Sequence, residues 1–116
     1  MIVDKPWGKV TTYALNQPSS VRVITIDPEQ ETSEHYHQLR DEMWVVLDED
    51  LRIQIGNRVV DARLGEEFVV QAEEPHRITN TGRRRGRVLE IAHGYTTEDD
   101  TFRLQDDYGR PLEPRW

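Results

Sequence analysis

Hydrophobic and polar residues alternate most clearly over residues 51–55, where Leu51, Ile53 and Ile55 are separated by Arg52 and Gln54, the pattern of a strand with one buried face. Upstream, residues 21–26 are rich in β-branched side chains and put Arg22, Ile24 and Ile26 on a common face, before Asp27-Pro28 ends the run. Residues 43–47 are continuously apolar and stop at the acidic turn of residues 48–50. Gly56-Asn57 predicts a tight hairpin into residues 58–63, because both residues tolerate a positive φ. A turn at residues 64–67 and a strand at 68–70 follow. Residues 76–80 and 88–93 predict a last hairpin, with the arginine-rich run of residues 83–87 at its solvated tip. There is no helical periodicity before Thr97-Glu98-Asp99-Asp100, a capping sequence that predicts a single helical turn. Short strands at this spacing predict an all-β chain, an antiparallel sandwich or barrel.

The 116 residues make one domain, 1–116, with an amino-terminal arm over residues 1–20 and a polar tail over 97–116 packed on the barrel. Trp7 and Tyr13 are the expected anchors of the arm. Only 35% of the residues are hydrophobic, so the apolar positions must be concentrated on inward faces, and a homodimer in which the arm helps to cover exposed surface is expected. A net charge of −7 argues against nucleic acid as a partner. No stretch approaches the roughly 20 apolar residues that cross a bilayer, and no basic-then-apolar leader is visible, so no membrane partner and a cytoplasmic location are expected. With no cysteine, any metal must be held by nitrogen and oxygen.

The candidate chemistry lies in residues 34–44. Alternate side chains of a strand share a face, so His35 and His37 point together, and a turn through residues 38–41 would return Glu42 beside them. Two imidazoles and a carboxylate suit a divalent ion such as zinc, manganese, iron, nickel or cobalt, and His76, opening a later strand, is the expected fourth ligand. Taken singly, each histidine is as well read as a surface or satisfied core residue; the four together favour a metal site. Arg22 is the inward cation expected near a bound anion, although an exposed strand arginine has the same pattern. His93 is expected to be structural or superficial. Glu90 would face inward in one strand register and outward in the next, so the sequence assigns no general base.

These residues resemble the two motifs of the cupin superfamily, G-x5-H-x-H-x3,4-E-x6-G and G-x5-P-x-G-x2-H-x3-N, through His35, His37 and Glu42 of the first and Gly65, His76 and Asn80 of the second. Glu29, Glu49, Gln71 and Glu73 stand where the motifs have turn residues, glycine or proline. Lys5-Pro6-Trp7-Gly8, residues 40–44, His76-Arg77-Ile78, residues 98–103 and residues 106–110 are similar to the carboxy-terminal domain of type II mannose-6-phosphate isomerases. That family usually has glutamine at the position of His35, followed by a histidine cluster where this chain has His37-Gln38-Leu39. The resemblance implies a small antiparallel jelly-roll β-barrel, a divalent metal and a metal-dependent isomerase of sugar phosphates, of the mannose-6-phosphate to fructose-6-phosphate type, with a sugar phosphate as its small-molecule substrate. A guanylyltransferase domain precedes this one in bifunctional members, and guanylyl transfer is not expected of these residues. A non-catalytic sugar or sugar-phosphate binding cupin and a small iron dioxygenase are the alternatives.

Overall fold

The computed structural model describes residues 1–112, so the last four residues of the expected tail lie outside the described part. Two antiparallel sheets face each other. The first has four strands in the order β3 (Ser19–Ile26), β10 (Gly86–Gly94), β5 (Arg40–Val46) and β8 (Glu67–Val70). The second has five, β11 (Phe102–Gln105), β4 (Glu34–Tyr36), β9 (His76–Asn80), β6 (Leu51–Ile55) and β7 (Arg58–Asp61). A separate hairpin, β1 (Ile2–Lys5) with β2 (Gly8–Thr11), precedes them.

The period-two pattern is realised strand by strand. Along β6, Leu51, Ile53 and Ile55 are buried, and Arg52 is exposed. Along β5 the buried positions are Arg40, Glu42, Trp44 and Val46, so polar residues take the inward face at one end and apolar ones at the other. Trp44, Val46, Leu51, Ile53, Phe68, Val70, Ile78 and Val88 fill the space between the sheets. The core therefore closes one end of the sandwich, and the other end is left to the polar residues of the site. Among the described residues no helix is long and apolar enough to cross a membrane.

Three expectations are corrected. Residues 76–80 and 88–93 do not pair: β9 bonds to β4 and β6, and β10 to β3 and β5. Both edges of β9 are already occupied, so the arginine-rich run is a crossover between sheets. Asn80 ties that crossover down, its side-chain amide donating to the carbonyls of Ile26 (2.9 Å) and Arg84 (2.7 Å). Similarly, residues 37–39 carry the chain from β4 in one sheet to β5 in the other instead of turning it back. Finally, Trp7 sits at the hairpin turn, 74% exposed, and is not packed down as an anchor among the described residues. The Thr97 cap and its short 3-10 turn, Glu98–Asp100, are as expected, and β11 after them joins the second sheet.

Candidate functional site

Cross-strand register assembles the site. His35 on β4 lies directly opposite His76 on β9, so both imidazoles leave the same face of the sheet. His37, just past the end of β4, joins them, with ring centroids 5.0 Å from each of the other two, while His35 and His76 are 4.5 Å apart. One nitrogen from each of the three lies within 4.8 Å of the others.

The opposite ring nitrogens identify the tautomers of His37 and His76. Nδ1 of His35 is 3.0 Å from the Ser33 carbonyl, Nδ1 of His37 is 2.8 Å from the Asp100 carbonyl, and Nδ1 of His76 is 3.0 Å from the Glu74 carbonyl. A carbonyl oxygen only accepts, so Nδ1 of His37 and of His76 carries the proton and donates it, leaving Nε2 as the acceptor, whereas Nδ1 of His35 lies nearer still to the Ser33 hydroxyl, at 2.7 Å, a group that can either donate or accept. Burial keeps the rings neutral. It lowers His35 to about 3, with the neighbouring His76 and His37 adding to the effect, and lowers His76 to about 4 against the opposing pull of Glu42. His37 is lowered by burial as well. Three neutral imidazoles brought together in this way fit a divalent ion of borderline softness.

Glu42, expected with His35 and His37, reaches the site from another element. It stands on β5, in the opposite sheet, and is absent from the three-histidine group. Its Oε2 accepts from Arg40 Nε at 2.7 Å and lies 3.5 Å from His37 Nε2, and its Oε1 accepts from Trp44 Nε1 at 2.8 Å. Burial pushes its carboxyl up, but His76, Arg40 and the Trp44 N–H outweigh that and hold it below the usual range. Arg40 also donates from Nη2 to His37 Nε2 at 3.0 Å. The pattern of polar residues gave no reason to expect a buried arginine here; its place between His37 and Glu42 in the sequence was the available signal.

Arg22 does face inward with Ile24 and Ile26, but it has a counter-charge. Its Nη2 donates to both oxygens of Glu90, at 2.8 and 3.1 Å. Glu90, whose register was open, is inward and 2% exposed, and burial, with Glu42 behind it, raises its carboxyl above the usual value against Arg22 and Arg40. His93 is superficial, 3.2 Å from the Gln17 side chain. Asp100, missed in the sequence, is buried; its carboxylate accepts the backbone N–H groups of Gln38 and Leu39, both at 2.9 Å. The three histidines, Glu42, Arg22 and Glu90 border a cavity of about 1030 Å³ that extends to Thr96, Arg103 and Arg110. A space of that size accommodates a small organic ligand.

A family model described as the mannose-6-phosphate isomerase C-terminal domain matches residues 1–106. The alginate biosynthesis protein AlgA of Pseudomonas aeruginosa is 28% identical over 113 residues, 97% of this chain and 24% of that protein. Mannose-1-phosphate guanylyltransferase ManC of Salmonella typhimurium is 31% identical over 109 residues, 93% of this chain and 23% of that protein. The chain thus spans about a quarter of the length of the curated relatives it matches. Among solved structures, the Cnp3 cupin domain of Schizosaccharomyces pombe superposes with a TM-score of 0.62 over 78% of this chain and 66% of its own, at 12% identity. The fold is the cupin jelly roll.

Proposed function

The chain belongs to the mannose-6-phosphate isomerase C-terminal family, and from that premise we propose that it is a metal-dependent cupin that isomerises a sugar phosphate, aldose to ketose, acting as a homodimer. The observation that carries this reading is the group of three neutral imidazoles whose nitrogens come within 4.8 Å of one another, lining a cavity large enough for a hexose phosphate. His35, His37 and His76 would hold the ion, which when bound would polarise the oxygens of the sugar.

The remaining work falls to side chains of the chain itself. Moving a proton between adjacent carbons needs a group that takes it from one and returns it to the other. Glu90 suits that role: it borders the cavity, and burial, with Glu42, raises its carboxyl above the usual value against Arg22 and Arg40. Arg22, bonded to both carboxylate oxygens, fixes its orientation. Trp44 and Ile78 supply an apolar wall of the same cavity, which limits competing water.

The test is a coupled assay for fructose 6-phosphate formed from mannose 6-phosphate by the metal-loaded protein, alongside binding. Turnover by wild type, lost in Glu90→Gln with binding retained, supports the reading. Binding without turnover by wild type would instead support a non-catalytic sugar-phosphate binding protein. One feature favours that second reading: Arg40 already donates to His37 Nε2, and Glu42 is engaged by Arg40 and Trp44.

A further inference from the structure

Two rows of side chains run across the barrel at one level. Register pairs Arg103 with His35 and His35 with His76 in the second sheet. In the first sheet it pairs Arg22 with Glu90 and Glu90 with Trp44. Directly opposed residues project from the same face of a sheet. The Trp44 and His76 rings meet edge to face at 5.4 Å, so the two rows confront each other. Arg22 and Arg103 are their outer members, on the edge strands β3 and β11, and both border the cavity, as does Thr96.

The two arginines differ in their partners. Arg22 is bonded to Glu90, as described. Arg103 makes a loose ion pair with Glu98, 3.8 Å from Nη2, on a glutamate side chain that is 87% exposed, and it also acts at longer range on Asp106. Its Nε is buried without a hydrogen-bond partner among the described residues, and so is the Thr96 hydroxyl oxygen. A buried donor of a cation left unmade is costly, because it has lost water and gained nothing. Two such groups beside one cavity indicate an acceptor that arrives with the ligand. A phosphate has the charge and the several oxygens that a guanidinium fork and a hydroxyl can share. Glu98 is the charge that lies there in its place. It adds to the effect of Glu90 on Arg22, against the opposing effect of burial, and to that of Asp106 on Arg110.

We propose that Arg103 and Thr96 hold the phosphate of the ligand in this cavity, across from Arg22, and that Glu98 occupies the approach to Arg103 until the phosphate displaces it. This rests on the reading of the ligand as a sugar phosphate. Arg103 is then the main anion-binding residue, and Arg22 chiefly positions Glu90.

Titration calorimetry of the full chain with mannose 6-phosphate and with inorganic phosphate tests it. Arg103→Leu should weaken mannose 6-phosphate about tenfold or more, and Thr96→Val about threefold, while Glu98→Gln should tighten it about threefold by removing the competing charge. Arg103→Lys, which keeps the charge and the fold but not the fork, should fall between wild type and Arg103→Leu. Mannose 6-phosphate bound equally by wild type and Arg103→Leu, or more weakly by Glu98→Gln, overturns the inference and leaves the sugar-phosphate reading standing. Arg103-dependent binding of inorganic phosphate with none of any sugar phosphate upholds the anion site and overturns that reading. Binding of neither overturns both.

Discussion

At the scale of single residues, the turn positions show how far a motif carries. Glu29 and Glu73 stand where the cupin pattern has glycine, and both have left-handed backbones, with φ of 62° and 70°. The backbone has kept the glycine conformation without the glycine, at a cost of about 1 kcal/mol for each side chain so placed. Glu73 is exposed, and its backbone N–H donates to the His37 carbonyl at 2.6 Å, a bond that any residue can make. Glu73→Gly should therefore raise stability by about 1 kcal/mol, moving the melting temperature up by about 4 °C. Thermal unfolding checks this, and a fall in melting temperature would contradict it. The grouping of three histidines was legible at the same scale, because the spacing of His35, His37 and His76 depends chiefly on strand alternation and one register. The engagement of Glu42 was not, since it depends on where Arg40 comes to rest.

The buried imidazoles carry a second consequence at this scale. His35 and His76 have folded values near 3 and 4, below the ordinary 6.5. Between those limits the unfolded chain binds more protons than the folded one, so stability is full above about pH 6.5 and is lost as the pH falls toward 4. Chelator-treated protein should show a urea midpoint that declines steadily across that window. His76→Gln should flatten the decline, and a midpoint independent of pH between 7 and 4 would contradict the neutral, buried state of the rings.

At the scale of elements, alternation identified most strands but not their sheets. The inward face of a strand is fixed by its own residues, whereas its neighbours are fixed by which edges remain free. That is why β9 and β10 read as a hairpin and are in fact separated by a crossover, and why β11, only four residues long beside a polar tail, was not legible as a strand. The other crossover, at residues 37–39, is held from outside. The Asp100 carboxylate takes the N–H groups of Gln38 and Leu39, and the carbonyl of the same residue takes His37 Nδ1. A three-residue 3-10 turn thus pins the bend that delivers one imidazole to the site. Asp100→Ala leaves the backbone amides of Gln38 and Leu39 without their charged acceptor and should cost about 3 kcal/mol. Because it also frees the bend carrying His37, metal affinity should fall about tenfold or more. Denaturant unfolding and zinc competition with a chelator measure the two effects; unchanged metal affinity would show that the bend holds itself.

At the scale of the whole molecule, the amino-terminal hairpin is the part that its own domain does not account for. The molecule measures 55 × 34 × 22 Å along its principal axes, and all four residues of β1 are exposed. Ile2 is 61% exposed, Val10 41% and Trp7 74%, and the outward face of the edge strand β3 adds Val21 and Val23. A two-stranded hairpin with an apolar surface is marginal in water on its own, and a second chain is the covering that the sequence led us to expect. Tyr13, at the foot of the hairpin, is only partly exposed, and burial first and Glu67 second raise its hydroxyl above the ordinary value, so the hairpin is attached at its base and free at its tip. If that tip packs on a partner, the protein sediments as a dimer at micromolar concentration, Trp7 fluorescence shifts to the blue as the dimer forms, and deletion of residues 1–11 weakens association while leaving the histidine site able to take up metal. A monomer at that concentration, or a dimer indifferent to the deletion, would locate the partner surface elsewhere or remove it.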